Sequence, residues 1–209
     1  MDKQRRDAKE LVKNLPLKDK IKHFWYYYKV HIISITLAAI LIITTTVQCM
    51  RQIKYDMNVS YYSIRYVENT NLDAFCDILE EATEDINNNG SVDVYLSFFS
   101  GDITTKLLDQ NGQIGYQKIQ VELASDEYQS YILDEAYLEM FTRLYPDAVE
   151  TVTEIGNIPD VKETLGLFDN EKLYLVTTPL FERSKDDEEK LLERKNALNI
   201  KEFFETKQK

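Results

Sequence analysis

Between Val30 and Met50 the chain reads VHIISITLAAILIITTTVQCM, 21 residues without a Lys, Arg, Asp or Glu. About 20 such residues are needed for a helix to cross the hydrocarbon core of a bilayer. The stretch therefore divides the sequence into a basic juxtamembrane segment at 1–29, a transmembrane helix at 30–50 and a globular domain at 51–209. Residues 1–29 carry nine Lys/Arg against four Asp/Glu, a net of +5, and positive charge beside a span marks the cytoplasmic side. Phe24, Trp25, Tyr26, Tyr27 and Tyr28 fall at the inner interface, where amphipathic rings settle. Within the span, Ser34, Thr36 and Thr44 to Thr46 can bond back to helix carbonyls, which makes them tolerable in lipid.

A cleaved signal peptide would have a shorter apolar region and small residues before the cut, whereas this one ends in Gln48, Cys49, Met50 and Arg51. Acylation of Cys49 would want a small residue where Gln48 stands. Upstream, residues 5–15 (RRDAKELVKNL) have the spacing of a helix with Ala8, Leu11, Val12 and Leu15 on one side, ended by Pro16. That foot could rest on anionic lipid or dock a partner helix, although orientation during insertion already accounts for its charges.

The remainder of the chain has 16 basic and 32 acidic residues, a net of −16. Such a field opposes binding to nucleic acid, so no nucleic-acid partner is expected. Cys76 is the one cysteine of the 51–209 domain, which rules out a disulfide framework inside it. Both histidines, His23 and His31, flank the membrane, which leaves that domain without Ser-His, Cys-His or His-metal chemistry.

Periodicity supplies the elements. Alternation of Tyr55, Met57, Val59 and Tyr61 predicts a strand, with a bulge at Tyr61-Tyr62 where the apolar phase shifts. Helical spacing follows over Asn71 to Ile86, placing Cys76 on the buried stripe, and a second strand over Val92 to Phe99. Asn111-Gly112 reads as a hairpin between apolar flanks, and Asp126 to Tyr145 as a helix closed by Pro146. A polar, turn-rich stretch then leads through Gly156, Pro159 and Gly166 to KLYLVTT at 172–178, the pattern of a central strand buried on both faces. Ser184 is placed as the cap of a final helix. Strands alternating with helices predict the α/β (α+β) class, a single mixed-sheet α/β sandwich behind one N-terminal transmembrane helix.

Asp85-Ile86-Asn87-Asn88-Asn89-Gly90-Ser91-Val92-Asp93 follows the first nine positions of a calcium loop, with Asp85, Asn87, Asn89 and Asp93 as candidate metal ligands. Leu96 stands where the closing carboxylate belongs, so at most weak calcium binding is expected, and the alternative is a helix-to-strand turn using Asn and Gly. No other cofactor is expected. Of the Tyr-rich composition, Tyr62, Tyr66 and Tyr95 are the candidate contact residues, since one Tyr offers both apolar area and a hydrogen bond.

The order LPLKDKIKHFWYYYKVH, apolar run, strand, helix and DxNxNGxVxV turn resembles uncharacterised single-pass membrane proteins of Gram-positive bacteria, over the first half of the chain. The resemblance implies an extracytoplasmic surface domain of α/β type, distantly similar to one lobe of a solute-binding protein, and no activity. The function expected is a non-enzymatic, membrane-anchored binding or interaction module at the cell membrane, in contact with the lipid bilayer. The alternative is an accessory subunit of a membrane or cell-envelope complex for transport or assembly, with a protein partner there. A carboxylate-based hydrolase is the third reading. Protease added to intact cells is expected to digest the 51–209 domain while an N-terminal tag stays protected. A mature N-terminus at or near Cys49, read by mass spectrometry, would overturn the anchored reading.

Overall fold

The computed structural model describes residues 16–50, 54–104 and 110–208, and the chain divides into two compact units, Met1–Ile53 and Lys54–Lys209. The 5–15 foot lies outside the described residues. Among its described residues the first unit has the helix α1 (Leu17–Met50), 34 residues long and about 51 Å at 1.5 Å per residue. It begins just after Pro16 and runs through the aromatic segment. Its stretch Tyr28–Thr46 is long and apolar enough to cross a membrane, with a mean hydropathy of 1.8. The hydroxyls of Thr36, Thr44 and Thr46 donate to the carbonyls of Ile32, Ile40 and Ile42 at 2.8, 2.9 and 2.7 Å, and Thr45 donates to Leu41.

The second unit is a five-stranded mixed sheet with helices on both faces, in the α/β class the alternation predicts. In chain order it has β1 (Met57–Ser63), α2 (Asn69–Glu80), β2 (Val94–Ser100), α3 (Gln110–Ser125), β3 (Ser130–Asp134), α4 (Glu135–Leu144), β4 (Thr151–Glu154), α5 (Pro159–Leu165), β5 (Leu173–Thr177) and α6 (Glu188–Lys207). The strand order is β2-β1-β3-β5-β4. β1 pairs in parallel with both β2 and β3, while β5 runs antiparallel to β3 and β4.

Two cores flank the sheet. Met57, Val59 and Tyr61 meet Phe75 and Leu79 of α2, Val161 and Leu165 of α5, and Ala197, Ile200 and Phe204 of α6. On the other face Tyr62, Tyr131, Leu133 and Val176 meet Ile119 of α3 and Tyr137, Met140 and Phe141 of α4. Residues adjacent in β1, Tyr61 and Tyr62, are therefore both fully buried, one in each core. This corrects the expected bulge. The register Met57↔Val94 to Ser63↔Ser100 is unbroken, and the apolar phase doubles because both faces are covered.

Further corrections concern elements hidden by atypical residues. The expected hairpin at Asn111-Gly112 is the start of α3, whose buried stripe is Gly112, Gly115, Ile119 and Glu122. Two glycines and a glutamate give no hydrophobic signal. Gly115 is required by close approach, because a Cβ there would lie 2.6 Å from a ring carbon of Phe99. The expected helix over Asp126 to Tyr145 is in fact β3 followed by α4. Asp134 ends the strand and caps the helix, its Oδ1 accepting the Tyr137 amide at 2.9 Å. The turn-rich stretch after Pro146 contains β4 and α5, the latter with Pro159 in its first turn and Gly166 closing it at φ 61°. β5 has a neighbour on each side, as KLYLVTT predicts. The last helix is capped by Asp187, which accepts the amides of Glu189 and Lys190, whereas Ser184 donates to Asp126.

A buried carboxylate organises the segment between α2 and β2. Asp56, fully buried, accepts the amides of Ile86 at 2.9 Å, Asn87 at 3.1 Å and Asp93 at 2.9 Å. Asn196 of α6, also fully buried, donates to the carbonyls of Asp56 and Glu84 and accepts the Glu84 amide. Asp56→Ala strands three amides at once. Each charged hydrogen bond contributes about 1.5 kcal/mol or more, so the variant is expected to lose about 3 kcal/mol or more of unfolding free energy. Urea denaturation of the full chain in detergent micelles checks this, and a midpoint equal to wild type would contradict the assigned role.

Candidate functional site

β1 and β3 are parallel neighbours, but the chain leaves them on opposite sides, β1 towards α2 and β3 towards α4. Divergence of this kind opens a crevice beyond the carboxyl ends of the two strands, the place where open α/β sheets bind ligands. Here it has a volume of about 530 Å³, within the range of small-molecule sites. β5, antiparallel to β3, brings its first residue to the same end, with Leu173 opposite Asp134.

The walls combine apolar and charged groups. Tyr61, Ile64, Ala136, Leu167 and Leu173 supply apolar surface, and Ser63 and Asn170 neutral polar groups. Asp134 ties the two diverging ends together: besides capping α4, its Oδ2 accepts the amide of Ile64 at 2.6 Å. Arg65 donates to the Leu165 carbonyl at 2.9 Å and pairs with Glu171 at 3.3 Å. Lys172 pairs with Glu135 at 2.9 Å. The segment entering β5 is thus clasped on one side by the end of β1 and on the other by the start of α4. Glu139 also lines the crevice, and its carboxylate meets no cation or donor among the described residues.

No protein family, curated protein or solved structure matches this chain. The crevice is accordingly read from its own residues.

Of the candidate contact residues, the structure brings no two together. Tyr62 is fully buried and donates its hydroxyl to Glu122 at 2.8 Å, which places it inside the core. Tyr66 is 65% exposed beside Phe98, and Tyr95 is 39% exposed with its ring centroid 5.0 Å from that of Tyr55. The Asp85–Asp93 loop is held by bonds among its own groups and to Lys54 and Asp56. Asp85 accepts the Gly90 amide at 2.9 Å, the Asn87 side chain donates to the Lys54 carbonyl at 2.7 Å, Asn89 accepts the Ser91 amide at 2.8 Å, and Asp93 accepts the Ser91 hydroxyl at 2.8 Å. Asn88 and Gly90 take positive φ, 56° and 88°, as a helix-to-strand turn requires. Among the described residues no group of three or more His, Cys, Asp or Glu is arranged to hold a metal. Cys76 is half-buried, and burial pushes its thiol up to about 11, away from thiolate chemistry, an effect the Leu96 backbone only partly opposes.

Sequence reasoning missed a polar network under α3. Glu122, buried, accepts the hydroxyls of Ser60 at 3.1 Å and Tyr62 at 2.8 Å, with Lys118 at 3.4 Å. Lys118 also donates to Ser97 at 2.7 Å and lies 5.1 Å from the Tyr62 ring centroid. A serine beside a lysine suggests nucleophile and base, but Lys118 is also paired with Glu122 and Ser97 lies within β2. The network is structural: it satisfies polar groups between helix and sheet.

Burial raises the Glu122 carboxyl above its ordinary 4.5, and the Lys118, Tyr62 and Ser60 partners only partly oppose this. The folded chain then holds this proton more tightly than the unfolded chain. Its stabilising contribution is complete below pH 4.5 and is lost as pH rises through the folded value. Glu122→Gln, which cannot ionise, is expected to flatten that decline in unfolding free energy between the two values. Parallel declines in variant and wild type, measured by denaturation across a pH series, would show that Glu122 is not responsible.

Proposed function

We propose that this chain is a membrane-anchored binding module, held by α1 in the bilayer with its N-terminus in the cytoplasm, whose extracytoplasmic domain seats a small ligand in the crevice between β1 and β3. The span Tyr28–Thr46 and the charge asymmetry around it support the anchor and its orientation. Trp25, Tyr26 and Tyr28 then serve as the interfacial belt. The crevice carries the binding reading: it is concave, of ligand size, lined by apolar surface with a few convergent polar groups, and lies at the switch point of the sheet. The module acts by recognition, without a chemical step of its own. The same organisation is proposed for the Gram-positive membrane proteins that the first half of the chain resembles.

Ala136 lies on the crevice wall in the first turn of α4, where a larger side chain occupies the hollow without entering the core. Full-length protein in detergent micelles and its Ala136→Trp variant are compared by thermal shift against a small-molecule library of mixed charge. A ligand at a hundred times its dissociation constant stabilises by about 2.7 kcal/mol, which is on the order of 5–10 °C for a domain of this size. Compounds that shift wild type and leave the variant unmoved are expected. Compounds that shift both equally would place binding elsewhere, and a library without hits would reject the reading.

A further inference from the structure

At the switch point of a doubly wound sheet, the amino end of the following helix commonly receives a phosphate, because its free amides and dipole favour an anion. Here that seat is filled. The Asp134 carboxylate accepts the Tyr137 amide at the start of α4, and Glu135 follows in the first turn. β1 leads into Ser63-Ile64-Arg65-Tyr66, without the glycines that let a phosphate approach the backbone.

The other charges of the crevice point the same way. It contains four carboxylates, Asp134, Glu135, Glu139 and Glu171, and two cations, Arg65 and Lys172. Both cations are already paired, Arg65 with Glu171 and Lys172 with Glu135. Asp134 is committed to two amides, which leaves Glu139 as a carboxylate without a partner among the described residues. Arg143, one turn further along α4, lies outside the crevice and lines an adjoining hollow that shares Ala136 and Glu139 with it. The local excess of negative charge sits beside Ile64, Ala136, Leu167 and Leu173, in a domain whose own balance is strongly acidic.

We infer that the crevice selects a small cationic ligand, an amine carried on an apolar body, with the ammonium group at Glu139 and the body against Ile64, Leu167 and Leu173. This rests on the crevice being the binding site and names what it takes. A phosphate, nucleotide or carboxylate ligand would meet Asp134, Glu135 and Glu139, and among the described residues that line the crevice both cations are already paired.

The test uses the full chain in zwitterionic detergent and a series of primary amines from butylamine to phenethylamine, each beside the carboxylate of the same shape, with inorganic phosphate as a further probe. Amines are expected to bind on the order of millimolar, as suits fragments of this size, and at least about tenfold more tightly than their carboxylate partners. Glu139→Gln should weaken the amines roughly threefold, the scale of an exposed ion pair, and leave the carboxylates unmoved. Ala136→Trp should abolish amine binding. If carboxylates or phosphate bind as well as the amines, the charge selection is wrong while the crevice stands. If no probe binds, or if Ala136→Trp binds amines like wild type, the crevice reading fails together with it.

Discussion

The second unit depends on the covering of β1 on both faces. Six of its seven residues are buried, with Tyr61 committed to one core and Tyr62 to the other, so helices must lie on both sides of the sheet. A strand in this position cannot hand the chain to the same face on each side. α2 leaves β1 towards one core, while α3 and α4 bracket β3 on the other. The crevice is the geometric remainder of that divergence, and Asp134 closes it at the base by bonding both departing segments. Architecture and site thus have one origin.

Polar groups inside the unit mark the places where helices meet strand ends. Asp56 collects three amides of the α2–β2 segment, Asn196 carries α6 onto the same point, and Glu122 gathers hydroxyls under α3. Each is buried and each has several partners, the condition under which a buried polar group stabilises rather than costs. α2 performs a related service at the sheet edge, where Glu80 accepts the Val94 amide at 3.3 Å. β2 is an edge strand, and this side chain occupies an amide that would otherwise be open to another chain.

Where residue chemistry and periodicity agreed, the sequence was legible. The apolar run 30–50, the β1-α2-β2 unit and KLYLVTT each carry an unmixed signal, and all three appear as elements near the expected positions. Where they disagreed, it was not. α3 buries two glycines and a glutamate, so its inner face looks like a turn. SYILD in β3 is short, and its Leu133 stands four residues before Tyr137, which imitates one helix face across a strand-to-helix junction. The crevice was beyond reach for a different reason. Ser63, the Asp134–Glu139 stretch and Glu171 are distant in sequence and converge only once the strand order is known. Asp134 alone had a local signature, an Asp before the amphipathic run Tyr137, Met140, Phe141, and it was hidden while the preceding strand was read as helix.

Charge connects the site to the chain as a whole. Basic residues are in excess before the apolar helix and acidic ones after it, which gives the second unit a field that gathers cations and excludes anions. Such a field is screened within about 8 Å at physiological ionic strength, so it can concentrate a ligand near the surface but cannot choose among cations. The choice has to be made in the crevice, where water is partly excluded and interactions are stronger. There the two ion pairs neutralise the local cations, and Glu139 remains the one crevice carboxylate without a partner among the described residues. In the proposed selection for positive charge, Asp134 and the two ion pairs hold the diverging strands in place, and Glu139 alone is left to meet a ligand.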